Sequence, residues 1–221
     1  MSELRMVPGK PCRLCRKRVW LEEGQTFCPH CTGKIEKLYA YPCRKCGNPA
    51  SDCECSGNKW MKFLFWYDCP TARTYINRLK NDPRDYEVEF LGTELAKKCT
   101  GRYDAVTFVP RDPAARKVHG SDHAELLAHA VAEALGLPVV ATLECRGVII
   151  QKFLSASQRE KLVRGRFAVL DEALRDHRRL LLVDDVSTTG ATLRGTSRLL
   201  REHGAEAVAC AAMCKTQENY R

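Results

Sequence analysis

The chain has 221 residues, 44% of them apolar and 29% charged, enough for one substantial core with a small appendage and too few for two large domains. Apolar runs such as Leu180 to Val183 fall far short of the roughly 20 residues that span a bilayer, and no apolar secretory stretch opens the chain, which predicts a soluble cytoplasmic protein without a membrane span. Lys and Arg outnumber Asp and Glu by 36 to 27, a formal +9 that eight thiolates closed around two zinc ions would lower to about +5, so charge alone does not specify a nucleic-acid-binding module.

Eight of the 13 cysteines lie between Cys12 and Cys55, while Cys69, Cys99, Cys145, Cys210 and Cys214 are scattered singly. Such clustering without an export signal points to metal, not to a disulfide framework. Cys12-Arg13-Leu14-Cys15 and Cys28-Pro29-His30-Cys31 are spaced as paired knuckles that close a tetrahedral zinc site, and Cys43-Arg44-Lys45-Cys46 with Cys53-Glu54-Cys55 forms a second set. Consecutive and cross-braced pairings both satisfy this spacing, and His30 offers a substitute ligand. Thiolates suit iron as well as zinc, and a C-x-x-C pair can be a redox dithiol. Pairs arriving in fours, with no strand before them, favour structural zinc, which has no open coordination position and so folds the segment without hydrolysing anything. The polar turn Ser56-Gly57-Asn58 divides a cysteine-rich head, residues 1–58, from a body, residues 59–221.

The body alternates. Trp60 to Tyr67 reads as an aromatic strand, and Thr71 to Asn81 and Glu87 to Cys99 carry apolar residues at helical spacing. Asp104 to Val109 is a short strand stopped by Pro110, and a helix starts at Ser121-Asp122 with Glu125 completing a capping box and Gly136 ending it. Val139 to Leu143 reads as a strand, Leu180 to Val183 as one buried on both faces, Ala191 to His203 as a helix stopped by Gly204, and Ala207 to Met213 as a final strand. Strand–helix alternation of this kind predicts an α/β fold with a doubly wound, mostly parallel sheet.

The run Leu180-Leu-Leu-Val-Asp184-Asp185-Val-Ser187-Thr188-Thr189-Gly190-Ala191-Thr192 places two carboxylates at the carboxyl end of a buried strand, then a hydroxyl-rich loop, then a helix start. Adjacent carboxylates can accept hydrogen bonds from a vicinal diol, Gly190 lets backbone approach an anion, and the helix N-terminus adds unpaired amides, together a cradle for ribose 5-phosphate. This run resembles the signature of type I phosphoribosyltransferases. The resemblance implies phosphoribosyl pyrophosphate with Mg2+ as ligand, Asp184 and Asp185 as catalytic carboxylates on the ribose hydroxyls, and Ser187 through Thr192 around the 5-phosphate. It also implies a pyrophosphate loop at Val109-Pro110-Arg111-Asp112, and a flexible covering loop between Arg146 and Arg166 that includes Arg159. An acceptor would sit under a hood from outside the sheet, expected to be the cysteine head and the Trp60 to Tyr67 segment.

The order of a cysteine head, Leu79-Lys80, a Pro110 loop, Ala124-Glu-Leu-Leu-Ala128, Gln151 with Ser155 and Arg159, Arg166-Phe167 and the phosphate run resembles the ComF-like competence proteins, a family linked to DNA uptake. That family usually reads Arg-Gly-Phe-Asn-Gln where this chain has His119-Gly120-Ser121-Asp122-His123, so a cationic side chain is replaced by an imidazole that is largely neutral at pH 7. Two functions follow. One is a phosphoribosyltransferase of unspecified acceptor; the other is a non-catalytic DNA-uptake factor whose partners are single-stranded DNA or DNA-processing proteins. For DNA the candidate contacts are Arg16-Lys17-Arg18, Arg44-Lys45, Arg146, Lys152, Arg159, Lys161, Arg164 and Arg166.

Overall fold

The computed structural model describes residues 6–23, 25–55, 59–81, 85–119, 122–147 and 165–217. Four strands form one sheet in the order β3 (Met61–Trp66), β8 (Ala207–Lys215), β7 (Arg179–Ser187), β4 (Ala105–Phe108), and every pairing is parallel. Parallel strands buried on both faces need apolar residues at consecutive positions, and Leu180 to Val183 supply them. Leu181 and Val183 join Ala211 and Met213 in the layer packed by α3 (Asp85–Lys98) and α5 (His123–Leu135). Leu180, Leu182, Cys210 and Ala212 turn to the opposite layer, where α7 (Ala191–Glu202) brings Leu193, Leu199 and Leu200. Each fully buried leucine contributes roughly 1.5–3 kcal/mol of transfer free energy, so these two layers dominate the fold. The expected doubly wound α/β fold is the one observed.

Helix α5 begins where the Asp122 carboxylate accepts the Glu125 amide at 3.4 Å and stops at Gly136, whose φ of 66° a side chain would resist. Its neighbour α3 lies so close that a Cβ on Gly92 would stand 2.3 Å from the Ala130 Cβ. Before them, α2 (Pro70–Asn81) follows β3 directly, and α4 (Pro113–His119) opens on Asp112, whose carboxylate accepts the Ala114 amide at 2.8 Å.

One expected strand is reduced. Val139 to Leu143 makes a parallel bridge from Val139 to Val106 and then leaves the sheet, because Thr142 turns inward to share a 2.7 Å hydrogen bond with Thr107. Leu143–Cys145 becomes β5, paired antiparallel with β6 (Phe167–Val169), and the Arg146 amide donates to the Arg166 carbonyl at 2.8 Å. The described ends of the segment expected to cover the site are thereby held together, while Gln151, Lys152, Ser155, Arg159, Lys161 and Arg164 lie outside the described residues. A short α6 (Asp171–Arg175) leads into β7.

The head contributes a hairpin, β1 (Met6–Pro11) with β2 (Arg18–Glu22), and α1 (Pro29–Tyr39), so a strand does run directly into Cys12, contrary to the sequence reading. Cys12, Leu14, Leu21, Cys28, Cys31 and Leu38 lie in the same buried layer as Phe65, Tyr75, Phe90 and Leu91 of the body. Phe27 meets Phe90 edge-on with centroids 5.2 Å apart, and Arg13 pairs with Glu89 at 2.8 Å.

Candidate functional site

All four sheet strands run the same way, so their carboxyl ends share one rim, and the two carboxylates of β7 stand on it. A cavity of about 260 Å3 opens beside them. Pro110 and Arg111 after β4, His123 at the start of α5, Arg166 and Phe167 at β6, and Thr192 of α7 complete its wall. The sequence-predicted residues Asp184, Asp185, Thr192, Pro110 and Arg111 therefore meet in one place. Ser187, Thr188, Thr189, Gly190 and Ala191 form the loop at its margin, outside the cavity lining, and Arg159 lies outside the described residues.

The carboxylates are held by the backbone. The Asp185 amide donates to Asp184 Oδ1 at 2.9 Å and the Val186 amide to Asp185 Oδ1 at 2.7 Å. Asp184 keeps some exposed surface, yet the protein crowding around it holds its carboxyl well above the usual carboxylate range, first through desolvation and then through the charge of Asp185.

Arg111 is fixed twice. Its amide donates to Asp122 Oδ2 at 2.6 Å, so the residue that caps α5 also anchors the loop after β4. Its guanidinium Nη1 lies 3.2 Å from the His123 ring nitrogens, and His123 Nδ1 lies 3.7 Å from Asp185 Oδ2. Buried at 2% exposure, His123 thus links a cation to an anion across the cavity. Sequence reasoning met His123 within a departure from a family pattern, Asp122 as a helix cap, and Arg166 as the end of a covering loop and a DNA contact; only the fold brings them together with Phe167 in one wall.

In the loop, Gly190 has φ 74°, and a Cβ there would stand 2.4 Å from Trp60 Cζ2. Glycine is required on both counts. Arg194 stacks over the Trp60 ring at 4.9 Å and donates to the Thr189 carbonyl, while the Ala191 amide donates to Thr189 Oγ1 at 3.3 Å. The Ser187 hydroxyl is buried and has no hydrogen-bond partner. The expectation of an aromatic hood outside the sheet is corrected here: Met61–Trp66 pairs as β3 within the sheet with five of its six residues buried, while Trp60, just before it, reaches the loop.

The cysteines assemble consecutively and not cross-braced. Cys12, Cys15, Cys28 and Cys31 form one cluster and Cys43, Cys46, Cys53 and Cys55 the other, with the sulfurs of each within 4.8 Å of one another. Cys15 and Cys28 are 3.8 Å apart and Cys46 and Cys53 3.6 Å, close to the edge of about 3.8 Å that a tetrahedron of zinc–sulfur bonds of about 2.3 Å requires. Burial works to raise the Cys12 thiol, yet the amides of Cys28, Cys15 and Leu14 pull it down to about 6; Cys43, opposed by burial in the same way, is brought to about 7 by the amides of Cys46 and Lys45. The two thiol quartets are thus fit to bind zinc, and none of the 13 cysteines is in a disulfide. Burial raises Cys99 and Cys210 to about 11, as expected of inert core thiols.

The phosphoribosyl transferase domain family matches residues 122–221. The chain is 24% identical to competence protein F of Haemophilus influenzae over 224 residues, 94% of this chain and 91% of that protein. It is 27% identical to DNA utilization protein YhgH of Escherichia coli K12 over 230 residues, 95% and 98% of the two. A solved glutamine phosphoribosylpyrophosphate amidotransferase from B. subtilis, complexed with ADP and GMP, is similar over 57% of this chain at 28% identity and TM-score 0.43; the match spans a quarter (25%) of that protein. No described helix is long and apolar enough to cross a membrane. Over nearly its whole length the chain is similar to competence protein F and DNA utilization protein YhgH, and it joins a match to the phosphoribosyl transferase domain with two zinc-capable cysteine clusters near the N-terminus.

Proposed function

We propose that the chain binds phosphoribosyl pyrophosphate with Mg2+ at the rim of the sheet and transfers its phosphoribosyl group to an acceptor with release of pyrophosphate. The observation that carries this reading is the Asp184–Asp185 pair sharing one cavity with Arg111, beside the glycine loop that opens α7. Asp184 and Asp185 accept hydrogen bonds from the ribose hydroxyls. The loop from Ser187 to Thr192 receives the 5-phosphate, and the buried, unpartnered Ser187 hydroxyl is a donor kept for an oxygen acceptor there. Arg111, oriented through His123, meets the pyrophosphate from the other side. Mg2+ takes oxygen ligands, fits this acidic rim, and when bound supplies charge neutralisation to the departing diphosphate. Orientation by these side chains provides the remaining rate enhancement. Residues 1–58 act as a head held by two zinc ions and residues 59–221 as the reacting body. A cytoplasmic location is part of this reading, supported by 13 cysteines with no disulfide among them, which suits a reducing compartment.

A second role rests on the relatives' names, competence protein and DNA utilization protein, and on Trp20, 62% exposed beside Arg18 and near Arg16 and Lys17. An open indole among cations suits single-stranded DNA, by base stacking and phosphate contact. Calorimetric titration of an Asp184→Asn, Asp185→Asn double variant, checked for intact folding, separates the two roles. Phosphoribosyl pyrophosphate with Mg2+ is expected to bind the wild type and not the variant, whereas single-stranded DNA is expected to bind both, with affinity falling steeply as salt rises. Equal sugar-phosphate binding by both proteins would remove the carboxylates from the site, and absence of DNA binding would leave the transferase reading alone.

A further inference from the structure

Residues that neighbour the second cysteine cluster reach both ends of the phosphate loop. Beyond Cys55, its last thiol, comes Trp60, whose indole covers the Cα of Gly190 and carries Arg194 stacked at 4.9 Å. Arg194 in turn donates to the Thr189 carbonyl. At the other end the Thr216 amide donates to the Ser187 carbonyl at 3.0 Å, and the next residue, Gln217, is 9% exposed. Gln217 Oε1 accepts from the Arg44 amide at 2.6 Å and its Nε2 donates to the Pro42 carbonyl at 2.9 Å, one residue to either side of Cys43, the first thiol. The Gln217 amide also donates to Asp68 at 3.0 Å, and Asp68 pairs with Arg44 at 3.2 Å. Cys53, Cys55 and Trp60 pack on the same buried layer as Leu193, the first buried residue of α7. The first cluster differs: Cys12, Cys28 and Cys31 are buried in the layer of α2 and α3, and a cavity lined by Cys15, Tyr75 and Glu87 lies between them.

We infer that the second cysteine cluster is a positioning device for the phosphate loop, acting through Trp60 at Gly190 and Gln217 at Ser187, so that the metal held by Cys43, Cys46, Cys53 and Cys55 sets the affinity for ligands bearing a 5-phosphate. This inference rests on the reading of the loop as the 5-phosphate cradle. A loop that binds an anion through backbone amides gains affinity in proportion to how much of its bound shape is already imposed. Here that shape depends on a left-handed Gly190 and a buried Ser187, and each is pinned from the same cluster. The four thiols, once closed around an ion, fix Pro42 and Arg44, which hold Gln217, and fix Cys53 and Cys55 on the layer where Trp60 packs.

The test uses the metal-loaded full chain and two calorimetric probes, phosphoribosyl pyrophosphate with Mg2+ and inorganic pyrophosphate with Mg2+, the second lacking the 5-phosphate. Trp60→Ala, and Cys46→Ser at the exposed thiol, are each expected to weaken phosphoribosyl pyrophosphate by about tenfold or more while changing pyrophosphate by no more than about twofold. Trp60→Phe, which keeps an aromatic ring over Gly190, is expected to restore most of the lost affinity. If Trp60→Ala melts below the assay temperature, Gln217→Ala carries the same comparison from the other end of the loop. Unchanged phosphoribosyl pyrophosphate binding in the variants, or equal weakening of both probes, would overturn the inference and leave the site reading intact. A wild type that binds neither probe would remove the site reading and this one together.

Discussion

Asp184 is where ligand binding and stability pull in opposite directions. Desolvation and the neighbouring Asp185 raise its carboxyl well above the usual range, while in the unfolded chain it ionises near about 3.9. The native state therefore holds a proton that the unfolded state has released, and the protein loses stability as pH climbs from about 3.9 through the raised value. Asp184→Asn removes that dependence. Melting temperatures followed from about pH 4 to about pH 9 are expected to show the variant gaining on the wild type as pH rises, with the variant the more stable at the alkaline end and unable to hold the sugar. Parallel curves would show that Asp184 ionises normally. In the wild type, taking up a diol on ionised carboxylates must expel the proton, so sugar-phosphate binding is expected to tighten over the same rise in pH. The carboxylate pair was legible because its parts are adjacent in sequence. His123 was not, since its value lies in standing between Arg111 and Asp185, residues that only the fold brings together.

The elements the sequence announced are those whose periodicity is dictated by burial: β3, β4, β7 and β8, and α2, α3, α5 and α7. Those it left unread, β1–β2, α1, α4, β5–β6 and α6, are mostly short and take their order from thiols or from neighbours, not from a repeating apolar face. Two were marked all the same, by Pro29 after Cys28 and Pro113 after Asp112, prolines at the first helical turn. The packing of α3 on α5 was invisible for a different reason: Gly92 looks like a weak point in a helix until its neighbour is known. Gly92→Ala gains about 1 kcal/mol of helix propensity but drives a methyl against Ala130, and overpacking costs about 1–3 kcal/mol. Denaturant unfolding is expected to show a net loss of stability, recovered in part by adding Ala130→Gly. A more stable Gly92→Ala would mean that the two helices part at little cost.

Across the molecule the two cysteine clusters are unequally sheltered. Cys12, Cys28 and Cys31 are buried, whereas Cys46 is exposed and Cys53 and Cys55 are half-buried. A chelator is expected to draw zinc in two phases, the first from the second cluster with the fold retained and the other with loss of the cooperative melting transition, read by a metallochromic dye alongside circular dichroism. A single phase would show that both ions depend on one opening event. The late phase should be destructive because the head has no core of its own: Leu14, Leu21 and Leu38 complete the layer begun by Phe65 and Phe90. Strand β3 is one of the two edge strands of the sheet, α1 lies against it with Tyr39 edge-on to Phe65 at 6.5 Å, and Lys62 is its one exposed residue. An uncovered strand that apolar is a template for pairing between chains. In a cell short of zinc, this protein should therefore be lost to insoluble assemblies, and its abundance would record metal supply before any reaction it performs did.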